Sequence, residues 1–243
     1  MDGLKKVCLW ANIVVILFAA MICVIGAVMG AGWSKAFFGS IPGESLLLSI
    51  LLLFAALVIE MGVKPLYLTG LMWFKWTKKD MFTAVLVLAG VVFIFYSRIL
   101  RVGEHNLKSI YFVPHIFTCL LSYVFFAAGA LLSGKCLIDK SIETEKNSYR
   151  FVSIGFPLLT AGILIGSGWA YSAWGSWWSW DPKESFSLAV WLLYAAFLIM
   201  RSFCGQRFLR LNCFWVIISF LMILLGVTVV NFSKIFAGLH NYN

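Results

Sequence analysis

Residues 151–171 read FVSIGFPLLTAGILIGSGWAY and contain no charged side chain. An apolar stretch of about 20 residues is long enough to cross the hydrocarbon core of a bilayer as an α-helix. Six further apolar runs lie on both sides of it, at 8–31, 44–63, 81–97, 113–134, 185–200 and 211–230. The pattern predicts an all-α, polytopic integral membrane protein in which about seven transmembrane helices form a single membrane domain over residues 1–243.

Two of the runs are shorter than a membrane span. Runs 81–97 and 185–200 have about 17 and 16 residues, so we expect both helices to extend into their flanks. Residues 65–76 are aromatic and include Lys75, and this segment could form an interfacial helix, which would be the eighth helix, or part of a longer span.

The composition places the chain in a lipid bilayer. Hydrophobic residues make up 62% of the chain and charged residues 12%, and the mean hydropathy is +0.95. Soluble domains carry about 25% charged residues. The formal net charge of +9 does not indicate nucleic acid, because the basic residues occur singly or in pairs between apolar runs. That distribution is typical of the cytoplasmic loops of a membrane protein.

The distribution of Lys and Arg predicts the orientation. If the N-terminus is cytoplasmic, thirteen of the 19 basic residues fall on the inner side and six on the outer side. The positive-inside rule therefore favours a multi-pass protein of the inner, or plasma, membrane with its C-terminus outside. No small-residue cleavage site follows run 8–31, so we expect the first helix to be retained rather than removed as a signal peptide.

The six cysteines exclude several functions. No C-x-x-C pair occurs among Cys8, Cys23, Cys119, Cys136, Cys204 and Cys213. A thiol oxidoreductase, a zinc site and a covalently attached c-type haem are therefore not indicated. The sequence also lacks a phosphate-binding G-x-x-x-x-G-K-[ST] motif and a Ser-His-Asp candidate. Glu60 is a lone ionisable group that we expect to reach the interface near Lys64.

A dense tryptophan string follows run 151–171. Residues 174–180 read WGSWWSW, and Asp181-Pro182-Lys183-Glu184 comes next. Such a cluster forms either an interfacial girdle or a platform for a large planar ligand. The quartet predicts an N-cap, an N1 proline and a capping box that open the sixth helix. The same helix start, with Lys183, could also hold a carboxylate.

Three histidines are predicted on the outer side with this string, namely His105, His115 and His240. His115 follows Pro114 at the start of a helix, where the positive end of the helix dipole keeps an imidazole neutral and able to bind a metal. Each histidine alone is typical of an interface or a loop. Two of them could bracket an iron porphyrin, whose axial positions accept imidazole while aromatic side chains cover the ring.

The segment 169–201 resembles a known family. WGSWWSWDPKES, followed by WLLYAAFLIMR, is similar to the WWD domain of the haem-handling proteins of cytochrome c biogenesis, and its Asp-Pro-Lys-Glu ending resembles the CcsA/ResC branch of system II. PGESLL at 42–47, His115 with Ser122-Tyr123, and GLHNY at 238–242 resemble further family elements.

The resemblance implies a function and a site. His115 and His240 would be the axial ligands of a non-covalent, b-type haem on the outer face. Residues 169–186 would form the WWD haem-handling loop, with the site residues Trp169, Trp174, Trp177, Trp178, Trp180, Asp181 and Lys183. A CcsB-type membrane partner and apocytochrome c, whose Cys-x-x-Cys-His motif receives the haem, are the implied partners. The chain would then form part of a cytochrome c synthase complex.

The sequence departs from the family at one position and leaves two alternatives open. Ile199 stands where the family usually has a histidine thought to receive haem within the membrane, and the adjacent Met200 is expected to pack in the core. A transporter or scaffold with a tryptophan belt and no haem is the first alternative. A haem-transfer subunit that does not attach haem to a protein is the second.

Overall fold

The computed structural model describes residues 43–60 and 109–232, and within these ranges every regular element is helical. The helices are α1 (Gly43–Glu60), α2 (Phe112–Asp139), α3 (Ile142–Trp174), α4 (Pro182–Cys204) and α5 (Leu209–Phe232), with a 3₁₀ turn at Gly205–Phe208. Each helix overlaps one predicted apolar run, so the all-α prediction is confirmed there. Runs 8–31 and 81–97 and the segment 65–76 lie outside the described residues, and the total of seven or eight helices stays a prediction.

Three helical stretches in the described part of the chain are long and apolar enough to cross a membrane. They are Phe112–Asp139, Ile142–Trp174 and Pro182–Thr228. The third joins α4 and α5, and the chain reverses within it at Gly205, whose φ is positive at 62°. An added Cβ on Gly226 would lie 3.0 Å from the Phe186 ring, and the Trp215 indole donates to the Leu193 carbonyl at 2.8 Å. These contacts make α4 and α5 an antiparallel hairpin.

Helix α3 begins nine residues before the predicted run 151–171. Ser141 caps it, since its Oγ accepts a hydrogen bond from the Thr144 N–H at 3.3 Å. The polar turns that follow are helical because Glu145 and Ser148 are buried against other helices. Hydropathy alone ends a predicted span where polar residues begin, and this explains the difference in the boundary.

Helix α4 is the central helix of the described part. Fifteen of its 23 residues are buried, so only a small part of its surface can face lipid. The Trp191 indole donates to the Thr160 hydroxyl of α3 at 2.9 Å, and the Tyr194 ring stacks on Phe126 of α2 at 3.7 Å. Helix α1 packs on α3 through Phe54 and Phe156, whose ring centroids are 6.0 Å apart.

The antiparallel packing defines two ends of the bundle. The start of α2, the end of α3, the start of α4 and the end of α5 lie together, because His115 contacts Trp169 and Phe186 contacts Gly226. We call this the tryptophan end, since the 175–181 loop lies there. The opposite end, where α3 begins and α4 ends, is called the Arg201 end.

Candidate functional site

The loop between α3 and α4 is held by its own hydrogen bonds. Gly175, at φ 74°, ends α3 in the left-handed conformation, and its N–H donates to the Tyr171 carbonyl at 2.9 Å. Trp180 is also left-handed, at φ 57°, which is rare for a residue with a large side chain. The Glu184 carboxylate accepts from the Ser179 N–H at 2.8 Å and from the Ser179 hydroxyl at 3.3 Å. Trp177, Trp178 and Trp180 are therefore held on an ordered loop, whereas Trp169 and Trp174 lie at the end of α3.

The predicted capping box is confirmed. Asp181 is the N-cap of α4, and its Oδ1 accepts from the Lys183 N–H at 2.8 Å. Glu184 completes the box by accepting from the Asp181 N–H at 3.2 Å, and Pro182 lies at the first helical position. Asp181 is buried and Lys183 is half-buried. Asp181 and Glu184 therefore fix where the loop enters α4.

The five tryptophans of the predicted site divide into two groups. Trp169, Trp178 and Trp180 are only 2%, 6% and 4% exposed, and Trp178 meets Trp180 edge-to-face at 6.0 Å. Trp174 and Trp177 are partly exposed. Trp174 lies edge-on to Trp169 at 5.0 Å, and Trp177 stacks on Tyr171 at 4.6 Å. Three of the indoles are thus part of the packed interior, and the other two, Trp174 of α3 and Trp177 of the loop, are accessible.

His115 lies on α2 at the same end of the bundle, against Trp169 of α3. Its Nδ1 is 2.8 Å from the Gly162 carbonyl oxygen of α3. A carbonyl oxygen can only accept, so Nδ1 carries the hydrogen and the lone pair of the neutral ring is on Nε2. The ring is nearly parallel to Trp169, with 10° between planes and 6.4 Å between centroids. This tautomer is the one that binds iron through Nε2 when Nδ1 donates to a backbone carbonyl.

Several sequence-predicted residues are placed elsewhere or lie outside the described ranges. His105 and His240 are outside the described residues. Helix α5 ends at Phe232 at the tryptophan end, eight positions before His240. Ile199 is partly buried against the core of the bundle, and Met200 packs within that core as expected. Within residues 43–60 and 109–232, no group of three or more His, Cys, Asp or Glu is placed to hold a metal ion.

A buried ionic network at the Arg201 end was not predicted. Glu145 is 2% exposed, and its carboxylate accepts from the Nε and Nη2 of Arg201. Gln206 Nε2 and Asn212 Nδ2 also donate to it, at 3.1 and 3.0 Å. The Arg201 guanidinium lies 5.0 Å from the centroid of the Tyr149 ring. The sequence signal for this network was Asn212, a single carboxamide near the start of the apolar run 211–230.

The chain is similar to known proteins over most of its length. The family model "Cytochrome C assembly protein" matches residues 47–237. A "Cytochrome c biogenesis protein CcsA" of Synechococcus sp. (strain RCC307) is 41% identical over 114 residues, which cover 47% of this chain and 36% of the relative. One of Prochlorococcus marinus (strain MIT 9215) is 35% identical over 172 residues, covering 56% of this chain and 55% of the relative. One of Guillardia theta is 43% identical over 105 residues, covering 42% and 33%. The matches thus span between about a third and just over half of the length of these relatives.

Proposed function

Because the chain belongs to the cytochrome c assembly protein family, and specifically resembles its CcsA-type members, we propose that it binds haem at the tryptophan end. The bound haem would be presented there for covalent attachment to apocytochrome c. The observation that carries this proposal is the His115 ring, which is fixed against Gly162 and Trp169 of α3 in the tautomer with its lone pair on Nε2.

The residues of the tryptophan end suit a non-covalent, b-type haem. His115 would hold the iron through Nε2, and Trp174 and Trp177 would cover the macrocycle and exclude water from it. Trp178 offers a buried indole N–H that has no acceptor within residues 43–60 and 109–232, so a polar group of a ligand could satisfy it. When bound, haem supplies an iron with two axial positions and the vinyl groups to which cysteine thiols add.

His240 is the proposed second axial ligand. The end of α5 at the tryptophan end supports this assignment, because the chain leaves Phe232 on the same side of the bundle as His115 and reaches His240 eight residues later. Asp181 would act through the loop, as the N-cap that fixes the start of α4. Lys183, on the first turn of that helix, would add positive charge near the haem propionates.

The orientation and the partners belong to the same proposal. The excess of Lys and Arg on one set of loops supports an outward-facing tryptophan end, with the N-terminus in the cytoplasm, in a plasma or inner membrane. A CcsB-type membrane protein and apocytochrome c are the proposed partners. The attachment step is assigned to a complex with these partners rather than to this chain alone.

The absorbance spectrum of the purified chain tests the proposal. We expect protein from haem-replete cells to show a Soret band and the signals of low-spin, six-coordinate iron, because two imidazoles give a strong axial field. Electron paramagnetic resonance of the oxidised protein checks the spin state. A pure, folded protein without haem would support the transporter or scaffold alternative and contradict the proposal.

A pair of double substitutions separates the two groups of tryptophans. Trp174→Ala with Trp177→Ala should lower haem occupancy several-fold and leave the amount of protein in the membrane nearly unchanged. Trp178→Ala with Trp180→Ala should lower the amount of protein, because removing a buried indole costs about 3–5 kcal/mol of stability. Soret absorbance per unit protein and quantitative immunoblots measure the two effects. If the first pair lowered both quantities equally, the whole loop would be structural.

A further inference from the structure

We propose that Gly162 and Gly166 of α3 are positioning residues that set the orientation of the His115 ring. They lie one helical turn apart in the sequence Gly-Ile-Leu-Ile-Gly, on the face of α3 that packs against α2. The inference rests on the proposed function, because it explains how His115 is held in the geometry that an iron ligand needs.

Gly166 makes room for the ring. A Cβ built on Gly166 would lie 2.5 Å from both Cε1 and Nδ1 of His115, far below the 3.0 Å at which a neighbouring atom must shift. The imidazole therefore rests directly on the backbone of α3. Trp169, three residues further along the same face, lies parallel to the ring and limits its movement toward the loop.

Gly162 brings the hydrogen-bond acceptor into reach. Its carbonyl oxygen is the partner of Nδ1, at 2.8 Å. A Cβ on Gly162 would lie 2.5 Å from Cys119 Sγ and 3.3 Å from the Cys119 backbone nitrogen. Because the Cys119 nitrogen belongs to the backbone of α2 and cannot turn aside as a side chain can, a side chain at Gly162 would force α2 and α3 apart. Close helix approach through two glycines four residues apart is a known way to bring backbones together in membranes.

The two glycines act on the same ring in different ways. Gly166 determines where the imidazole can lie, and Gly162 determines which nitrogen is protonated. Together they direct Nε2 as the metal-binding nitrogen. Interactions that orient a ligating histidine typically change metal affinity by about 10–100-fold when they are lost.

The test compares Gly166→Ala with Gly168→Ala. Gly168 is a matched control, because it lies on the same helix and an added Cβ there would have its nearest neighbour at 3.6 Å, an ordinary contact. We expect Gly166→Ala to lower haem occupancy about tenfold and to replace the low-spin spectrum by a five-coordinate one. Imidazole in the buffer should restore the low-spin spectrum. Gly168→Ala should match the unsubstituted protein, and a Gly166→Ala variant with the unsubstituted spectrum and occupancy would overturn the inference.

A double variant separates a displaced ring from general damage to the helix pair. Without added imidazole, His115→Gly with Gly166→Ala should retain the same residual haem as His115→Gly alone, because the ring that the new methyl group would strike is gone. A further loss in the double variant would overturn the inference. If Gly166→Ala lowers the amount of protein in the membrane, recovery of that amount in the double variant supports the steric explanation, and lack of recovery refutes it.

The same assay distinguishes this inference from the proposed function. A His115→Gly variant that keeps the unsubstituted haem content and spin state would refute His115 as a ligand, and with it the haem site proposed around this residue. A His115→Gly variant that loses haem while Gly166→Ala is unaffected would refute only the role of the glycines.

Discussion

Replacing His115 by glycine should remove most of the haem that we propose the chain binds, and added imidazole should restore it. The ring is held at two points, by the Nδ1 hydrogen bond to the Gly162 carbonyl and by the parallel Trp169 ring. Removing the side chain leaves both groups in place around a space of the shape of an imidazole. A free imidazole can then occupy that space and supply the missing nitrogen.

The expected loss of haem occupancy is at least about tenfold. Losing a residue that only orients a metal ligand already lowers metal affinity by about 10–100-fold, and this variant loses the ligand itself. A glycine within a helix destabilises it by only about 1 kcal/mol, so the protein should still accumulate. Val113→Gly is the matched control, because Val113 lies in the same turn of α2 and is 37% exposed. Its replacement by glycine adds the same backbone freedom to the helix as the replacement of His115. Soret absorbance per unit protein, with and without imidazole, measures the effect.

An unchanged low-spin spectrum in His115→Gly would contradict the assignment of His115 as an axial ligand. Loss of haem in Val113→Gly to the same extent would instead mean that the start of α2, rather than its histidine, is required. His240→Gly provides the parallel test for the second proposed ligand, and the two variants together should not lose much more than either alone if both imidazoles bind one iron.

The features that could be predicted from the sequence are those that depend on neighbours along the chain. The apolar runs predicted the five described helices because lipid-spanning helices require about 20 apolar residues whatever they pack against. The capping box at Asp181 and Glu184 was predictable because its hydrogen bonds join positions only two and three residues apart. The early start of α3 was missed because it depends on partners for Glu145 that lie more than fifty residues away.

The features that could not be predicted depend on tertiary packing. The tryptophan string gave no sign that Trp178 and Trp180 pack inside while Trp177 stays accessible, since all three lie within four residues. The pairing of Gly162 and Gly166 with His115 follows from the register of α2 against α3, although the Gly-x-x-x-Gly spacing was visible in the sequence. The pairing of His115 with His240 stays a prediction.

The Glu145 carboxylate, at the centre of the ionic network at the Arg201 end, should make one of the largest side-chain contributions to the stability of the bundle. Glu145 and Arg201 are 2% and 14% exposed at their side chains, so neither charge has much water around it. Breaking a buried ion pair by removing one partner costs about 3–5 kcal/mol, because the other charge is left without compensation. We expect Glu145→Gln to produce a loss of this size.

Glu145→Gln is a stringent test because glutamine keeps the shape of the glutamate side chain and changes only its charge and its hydrogen-bond donors. All four groups that contact Glu145 are donors: Arg201 and Asn212 at Oε1, and Arg201 and Gln206 at Oε2. A glutamine has one acceptor oxygen and one donor nitrogen, so one side of the network must then face donor against donor. The guanidinium, still charged, would lose its counter-ion.

Glu143→Gln is the matched control for this substitution. Glu143 lies two residues earlier in α3, its side chain is 66% exposed, and it pairs with Arg150 at 3.8 Å. Exposed pairs of this kind contribute about 0–1 kcal/mol, so the control should unfold almost like the unsubstituted protein. Denaturant titration in mixed micelles, followed by circular dichroism, measures both variants. Equal stability of Glu145→Gln and Glu143→Gln would show that the buried pair is not structural.

A second variant and a second readout distinguish a structural role from a role in haem binding. Replacing both Glu145 and Arg201 by methionine should recover most of the lost stability, because well-packed apolar residues often replace a buried ion pair without loss. The 23 residues of α4 place the Arg201 end about 35 Å from the loop, at 1.5 Å per residue. The haem spectrum of the protein that remains folded should therefore be unchanged in Glu145→Gln, whereas a shifted spin state would mean that the two ends of α4 are coupled.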